Sequence, residues 1–234
     1  MKDPYLSEDS DVLINKANIK DRILLDEFEN RMTTLGIITI LKTDMKIIDV
    51  KDIFQIHNTL FSNVYEWAGQ KRTINIFKNE PILNGLSVEY TSYNLINKEL
   101  EIVTATYFKQ KWKDLSKEDF MHLFTRMIAR IWQIHPFREG NTRVISVFGL
   151  LFLKQNGYKF DSDIIAKNAK YFRNALVMAS LNEYAEYHYL QNILLDAVES
   201  KHLEPRASKY NKIKNYDINK YEYNYHEVKN ETTR

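Results

Sequence analysis

Apolar positions recur along most of the chain at intervals of three and four residues, the period of a helix with one buried face. Ile23, Leu24, Phe28, Met32 and Leu35 form the first series and predict a helix over residues 20–41 packed on that stripe. Ile53, Ile56 and Leu60 predict a second over 49–62, with Asp49 as its cap. Helical spacing resumes over 87–109. It resumes again from Ser116, where Asp119 three residues on completes a capping pattern, and a stripe of Phe120, Phe124, Met127, Ile128 and Ile131 runs on to Ile134. Pro136 ends that helix at His135, because proline lacks an amide hydrogen and disfavours helical geometry in the residue before it. Past Gly140, Val144, Val147, Phe148, Leu151 and Phe152 predict a further helix stopping near Gly157, followed by two more over 162–179 and 182–200.

One stretch departs from this period. Thr73-Ile74-Asn75-Ile76-Phe77 alternates β-branched and polar side chains, and Lys78-Asn79-Glu80-Pro81 leads from it into Ile82-Leu83, which reads as a β-hairpin. With only six Gly and four Pro in 234 residues, turn-rich sandwiches and barrels are disfavoured, and the regular helix–strand alternation of a doubly wound sheet is missing. The fold class expected is mostly α, a helical bundle with one β-hairpin. Residues 1–18 form a polar arm and 19–198 the domain. Residues 199–234, rich in Lys and Asn and holding Tyr210, Tyr216, Tyr221, Tyr223 and Tyr225, form a tail or loosely docked extension.

Charge and composition narrow the chemistry. Thirty-three basic against 31 acidic side chains leave a formal charge of +2, too weak a field to hold a polyanion, so nucleic acid is not expected as a partner. No run of eighteen apolar residues points to a membrane span, and the start lacks the apolar stretch of a signal peptide, so a cytoplasmic protein is expected unless an unread secretion signal exports it. Without cysteine there is no disulfide, thiolate metal site or Cys nucleophile, which leaves His, carboxylates, hydroxyls, Lys and Arg.

Those residue types converge in Ile134-His135-Pro136-Phe137-Arg138-Glu139-Gly140-Asn141-Thr142-Arg143, a turn between two apolar helices. The start of the second helix offers backbone amides and the positive end of its dipole to an anion. Gly140 lets the backbone come close, and Asn141 and Arg143 can donate to phosphate oxygens. Glu139 supplies one hard oxygen donor, suited to Mg2+ shared with a polyphosphate. His135 at the helix break can take a proton from a hydroxyl near neutral pH. Taken singly, a His before Pro is a packed cap residue, Glu139 and Arg143 are surface charges, and Gly140-Asn141 is a turn. Their co-occurrence at these spacings has a chance frequency on the order of a few per million chains of this length, and the set describes nucleotidyl or phosphoryl transfer from a Mg-nucleotide.

His135 to Arg143 resembles the signature of the Fic domain, H-x-F-x-[DE]-G-N-G-R-x-x-R. Asp3-Pro4-Tyr5 through Ile19-Lys20-Asp21 resembles the family's N-terminal segment, and Val64-Tyr65-Glu66-Trp67-Ala68-Gly69-Gln70 through Ile76 the stretch leading into its target-binding flap, so the likeness covers about residues 3–198. The resemblance implies transfer of AMP from ATP to a Ser, Thr or Tyr hydroxyl of a target protein. It makes His135 the general base, Phe137 a core anchor and Glu139 the Mg2+ ligand. Gly140, Asn141 and Thr142 become the anion cradle, and Arg143 the group on the β-phosphate. It also assigns Thr73, Ile74, Asn75, Ile76 and Phe77 to a flap that pairs with an extended target segment.

Two positions depart from the signature: Thr142 replaces its second Gly, and Ser146 stands where it ends in Arg, removing a guanidinium directed at the γ-phosphate. Another nucleotide-derived donor (UMP, phosphate or phosphocholine) and a catalytically silent binding module stay open as alternatives. Many family members carry an obstructing [ST]-x-x-x-E-[GN] helix. Ser62 to Glu66 and Ser200 to Glu204 match it only in part, which leaves Glu204, a separate antitoxin-like inhibitor or no inhibitor as the possibilities in a bacterial toxin or effector. The tail's tyrosines are candidate self-modification sites.

Overall fold

A computed structural model describes residues 3–7 and 10–199. The tail, with Glu204 and its tyrosines, lies outside the described residues. Among the described residues eight α-helices follow in order: α1 Arg22–Lys42, α2 Asp52–Phe61, α3 Ile96–Val103, α4 Lys117–Ile134, α5 Asn141–Gln155, α6 Ser162–Lys167, α7 Ala169–Met178 and α8 His188–Glu199. The fold is mostly α, as the periodicity implies. Among the described residues no helix is long and apolar enough to cross a membrane.

The chain forms two compact units interleaved in sequence. One holds the described residues up to 75, 91–113 and 134–158, hence α1, α2, α3 and α5. In it α1 packs along α2, and α2 along α5. The α1–α2 approach depends on Gly36, where a Cβ would stand 2.8 Å from the Thr59 carbonyl oxygen and 2.9 Å from Leu60 Cα. The other unit holds 76–90, 114–133 and 159–199, with α4 through Gln133 and α6, α7 and α8. Ser116 caps α4 as its spacing predicts: its hydroxyl accepts from the Asp119 amide at 3.1 Å and donates to the Asp119 carboxylate at 2.7 Å.

Several boundaries and one face differ from the sequence reading. The buried row of α1 is Leu25, Glu29, Thr33, Gly36 and Ile40, while Ile23, Leu24 and Leu35 are exposed. The sequence stripe followed the larger apolar residues, but the packed face carries the small and polar ones that α2 and the site require. Asp49 caps the turn before α2 rather than the helix, accepting from the Lys51 amide at 2.8 Å. The helix expected over 87–109 shortens to α3, flanked by a 3₁₀ turn and a π turn, and the one over 162–179 divides at Asn168, whose φ of −118° leaves the helical range.

The expected hairpin has no strand ladder: among the described residues no strand forms, and the one isolated bridge joins Leu6 and Leu13. Residues 73–79 have no regular structure and bend at Thr73 and Ile74, with Thr73, Asn75, Phe77 and Asn79 exposed and the intervening residues half-buried. Side chains take the bonds that a ladder would use. Arg72 donates to the carbonyls of both Ile74 and Thr91, and Asn75 Oδ1 accepts from the Tyr93 amide at 2.9 Å. Further out, Ser87 Oγ accepts from the Lys78 amide at 3.2 Å. Pro81, which has no amide hydrogen to pair, opens a 3₁₀ turn over Pro81–Leu83, closed by left-handed Asn84.

Candidate functional site

The turn between α4 and α5 is built by conformations that few residues adopt. His135 has φ +50° and Gly140 φ +83°, so the chain reverses sharply at each end of the turn. The left-handed His135 is held from both sides of its peptide: Arg72 Nε donates to the His135 carbonyl at 2.8 Å, and the Arg72 amide to the Pro136 carbonyl at 2.8 Å. Phe137 fills the core beneath, buried to 1% exposure. Asn141 closes the turn, its Oδ1 accepting from the Phe137 amide at 3.0 Å and its Nδ2 donating to the Phe137 carbonyl at 2.8 Å. This amide therefore shapes the turn, and the groups that can donate to an anion are the first-turn amides of α5, which helical geometry leaves without intrahelical acceptors.

Gly140 is required twice over. Its positive φ disfavours side chains, and a Cβ there would lie 2.2 Å from Cζ of Phe61. Its amide donates to Glu139 Oε1 at 2.9 Å, which anchors a half-buried carboxylate beside the start of α5. Thr142 sits in the first turn of α5, where helical φ is open to any L-residue, so replacing a glycine there costs no unusual backbone. Ser146 lies one turn further and donates its hydroxyl back to the Thr142 carbonyl at 2.8 Å. Among the described residues no group of three or more His, Asp or Glu could hold a metal alone. The single anchored carboxylate fits a magnesium ion whose remaining ligands come with a polyphosphate.

Arg143 is placed differently from the reading as a phosphate group alone. Its guanidinium pairs with the buried Glu29 carboxylate, contacts Thr33 Oγ1 at 3.4 Å and lies 5.0 Å above the Phe61 ring. Glu29 also accepts from the Tyr65 hydroxyl, whose pKa is raised by burial first and by that carboxylate second. Sequence reasoning missed Glu29; the signal was a carboxylate on the row 25, 29, 33, 36, 40 at helical spacing.

His57 was missed as well, although it interrupts the apolar stripe of α2. Fully buried and stacked 3.9 Å from the Phe137 ring, it accepts at Nδ1 from the Gly69 amide at 2.8 Å and meets the Glu139 carbonyl at Nε2 at 3.2 Å. The first bond makes Nδ1 the acceptor and leaves the proton on Nε2. Burial pushes this imidazole down to about 3, outweighing the carbonyl contact that favours the proton. The N-terminal arm joins the same assembly. Asp3 pairs with Arg138 at 2.8–2.9 Å, and the Tyr5 hydroxyl accepts from the Thr73 amide at 3.0 Å. Thr73, Ile74 and Asn75 belong to the unit that contains His135, whereas Ile76 and Phe77 belong to the other.

The profile of the Fic/DOC family matches residues 47–153, which contain the turn and its α2 support. Among curated proteins, the chain is 31% identical over 185 residues to the probable protein adenylyltransferase y4lH of Sinorhizobium fredii, covering 79% of this chain and 92% of that one. It is 27% identical over 183 residues to the protein adenylyltransferase VbhT of Bartonella schoenbuchensis, covering 78% of this chain but only 36% of that longer protein. The fold is shared with the N-terminal FIC domain of Bep8 from Bartonella sp. 1-1C (TM-score 0.71, 22% identity, 84% of this chain and 95% of that one). It is shared equally with BepC of Bartonella tribocorum, solved with bound AMPPNP (TM-score 0.70, 23% identity, 82% and 95%). With a matching family profile, a relative above 30% identity aligned over most of both lengths, and the same fold, the chain belongs to the Fic/DOC family.

Proposed function

We propose that this protein is a protein adenylyltransferase that moves AMP from Mg-ATP to a Ser, Thr or Tyr hydroxyl of a target protein. The observation that carries the reading is the left-handed His135 at one end of a six-residue turn whose other end, Gly140, opens the N-terminus of α5. The names of the curated relatives and the AMPPNP bound to BepC support an adenine nucleotide as donor.

The hydroxyl oxygen attacks the α-phosphorus, the new O–P bond forms as the bond to the pyrophosphate oxygen breaks, and the hydroxyl proton passes to the His135 imidazole. The first-turn amides of α5, including those of Asn141 and Thr142, receive the α-phosphate where Gly140, its own amide held by Glu139, lets the backbone come close, and Arg143 reaches the β-phosphate from its seat on Glu29. Glu139 would hold magnesium, which supplies charge neutralisation at the phosphate oxygens. Thr73, Ile74, Asn75, Ile76 and Phe77 present alternating exposed positions, the pattern an extended target segment would read.

A second reading is favoured by one observation: with Ser146 turned onto Thr142 and Arg143 paired to Glu29, the turn offers little cationic charge to a third phosphate. In that reading the donor is another nucleotide-derived group. Incubating the protein and a cell lysate with Mg2+ and each of several labelled nucleotides separates the two. AMP on a hydroxyl in wild type, and a loss of at least about 100-fold in His135→Ala, is the expected result. Transfer that is unchanged in that variant overturns the role of the imidazole.

A further inference from the structure

The turn is also held by a side chain from outside the signature, Arg72. Arg72 is buried to 1% exposure, and its bonds run to backbone carbonyls: Nε to His135 at 2.8 Å, Nη1 to Ile74 at 2.7 Å, and Nη2 to Thr91 and, at 3.4 Å, to Ile134. A planar guanidinium with five donors in a fixed fork can satisfy this many acceptors at once, and an ammonium on a flexible stem cannot reproduce the geometry. The acceptors are not a random set. Ile134 and His135 are the last residue of α4 and the residue held left-handed at its end. Ile74 and Thr91 lie just outside the two ends of segment 76–90. The Asn75–Tyr93 bond closes the same neck.

We propose that Arg72 is a positioning residue for the transfer reaction: it fixes the backbone of His135 and the two roots of segment 76–90 as one piece, so that imidazole and incoming hydroxyl stand in one register. This rests on the adenylyltransfer reading above. Its chemical content is separate, because Arg72 touches neither donor nor acceptor and acts through the geometry of His135, Ile74 and Thr91. Reaction rates are sensitive at this scale, a displacement of about 1 Å costing on the order of 100-fold.

The test compares wild type with Arg72→Lys in four measurements on the full chain. These are melting temperature, affinity for Mg-AMPPNP by calorimetry, transfer of labelled AMP, and the imidazole resonances of His135 by NMR on histidine-labelled protein. Expected for Arg72→Lys are a folded protein, nucleotide affinity within about threefold, transfer lower by on the order of 100-fold, and His135 resonances split or broadened where wild type shows one set. Transfer unchanged, or lowered only in proportion to nucleotide affinity, overturns the proposal, as does an undisturbed His135. If wild type itself neither binds nor transfers the nucleotide, the adenylyltransfer reading falls, and the His135 resonances still decide whether Arg72 sets that residue. Should the variant fail to fold, exchange of the Arg72 Nε proton in wild type decides. Slow exchange, protected by orders of magnitude over a solvated guanidinium, supports the clamp, and fast exchange sinks it.

Discussion

His57 shows how a single residue can tie stability to pH. Its ordinary value near 6.5 falls to about 3 in the folded protein because the ring is buried. Above about pH 6.5 the ring is neutral in both folded and unfolded chains, and its contribution is complete. Between 6.5 and 3 the unfolded chain takes up a proton that the folded one refuses, so stability falls on acidification by up to about 1.4 kcal/mol per pH unit. His57→Gln keeps a donor and an acceptor for Glu139 and Gly69 but cannot titrate. Urea midpoints measured from pH 7 to 4 should fall less steeply in that variant than in wild type. Parallel curves would remove His57 from the acid response.

At the scale of elements, bonds between side chains and backbone decide what the periodic pattern left open. The loop after Ile76 holds its place in its own unit through Glu80, buried to 1% exposure, which pairs with Arg173 of α7 at 2.7 Å and accepts from the Tyr90 hydroxyl at 3.1 Å. Glu80→Ala should cost roughly 2–3 kcal/mol by thermal or chemical denaturation, less than for a fully buried pair because Arg173 is partly exposed. Arg173→Ala, which strands the buried carboxylate, should cost as much or more. α1 is read differently: Leu24 and Leu35 project outward, so Leu35→Lys should leave the melting temperature within a degree or two, whereas Gly36→Ala, which drives a methyl into α2, should lower stability by about 1–3 kcal/mol.

For the molecule as a whole, binding is a stability measurement. A nucleotide present at about 100 times its dissociation constant stabilises the folded state by about 2.7 kcal/mol, which for a chain of this size raises the melting temperature by roughly 5–10 °C. Mg-AMPPNP should produce such a shift in wild type and a much smaller one in Glu139→Ala. Equal shifts would take Glu139 out of cation binding. The helical character of the chain and the turn from His135 to Arg143 were legible in the sequence because apolar period, proline and glycine are local signals. The support of that turn was not. His57, Glu29 and Arg72 act across 82, 114 and 63 positions respectively, and one sequence carries no record of such distant pairings. The ladder expected of the hairpin is not seen among the described residues for a related reason, since alternation marks an extended segment but cannot tell whether another backbone or an arginine will meet its carbonyls.

The ring of Phe61 occupying the space where Gly140 has no side chain couples the histories of two positions 79 residues apart in the chain (140 − 61). Gly140→Ala alone should destabilise by roughly 2–4 kcal/mol, from crowding together with the left-handed backbone. Phe61→Leu should recover only the crowding share, so the pair will show a coupling energy without full rescue. Neither position can drift freely while the other stands. Relatives that have lost this aromatic ring are therefore where a larger residue at the mouth of the fifth helix should first become tolerable.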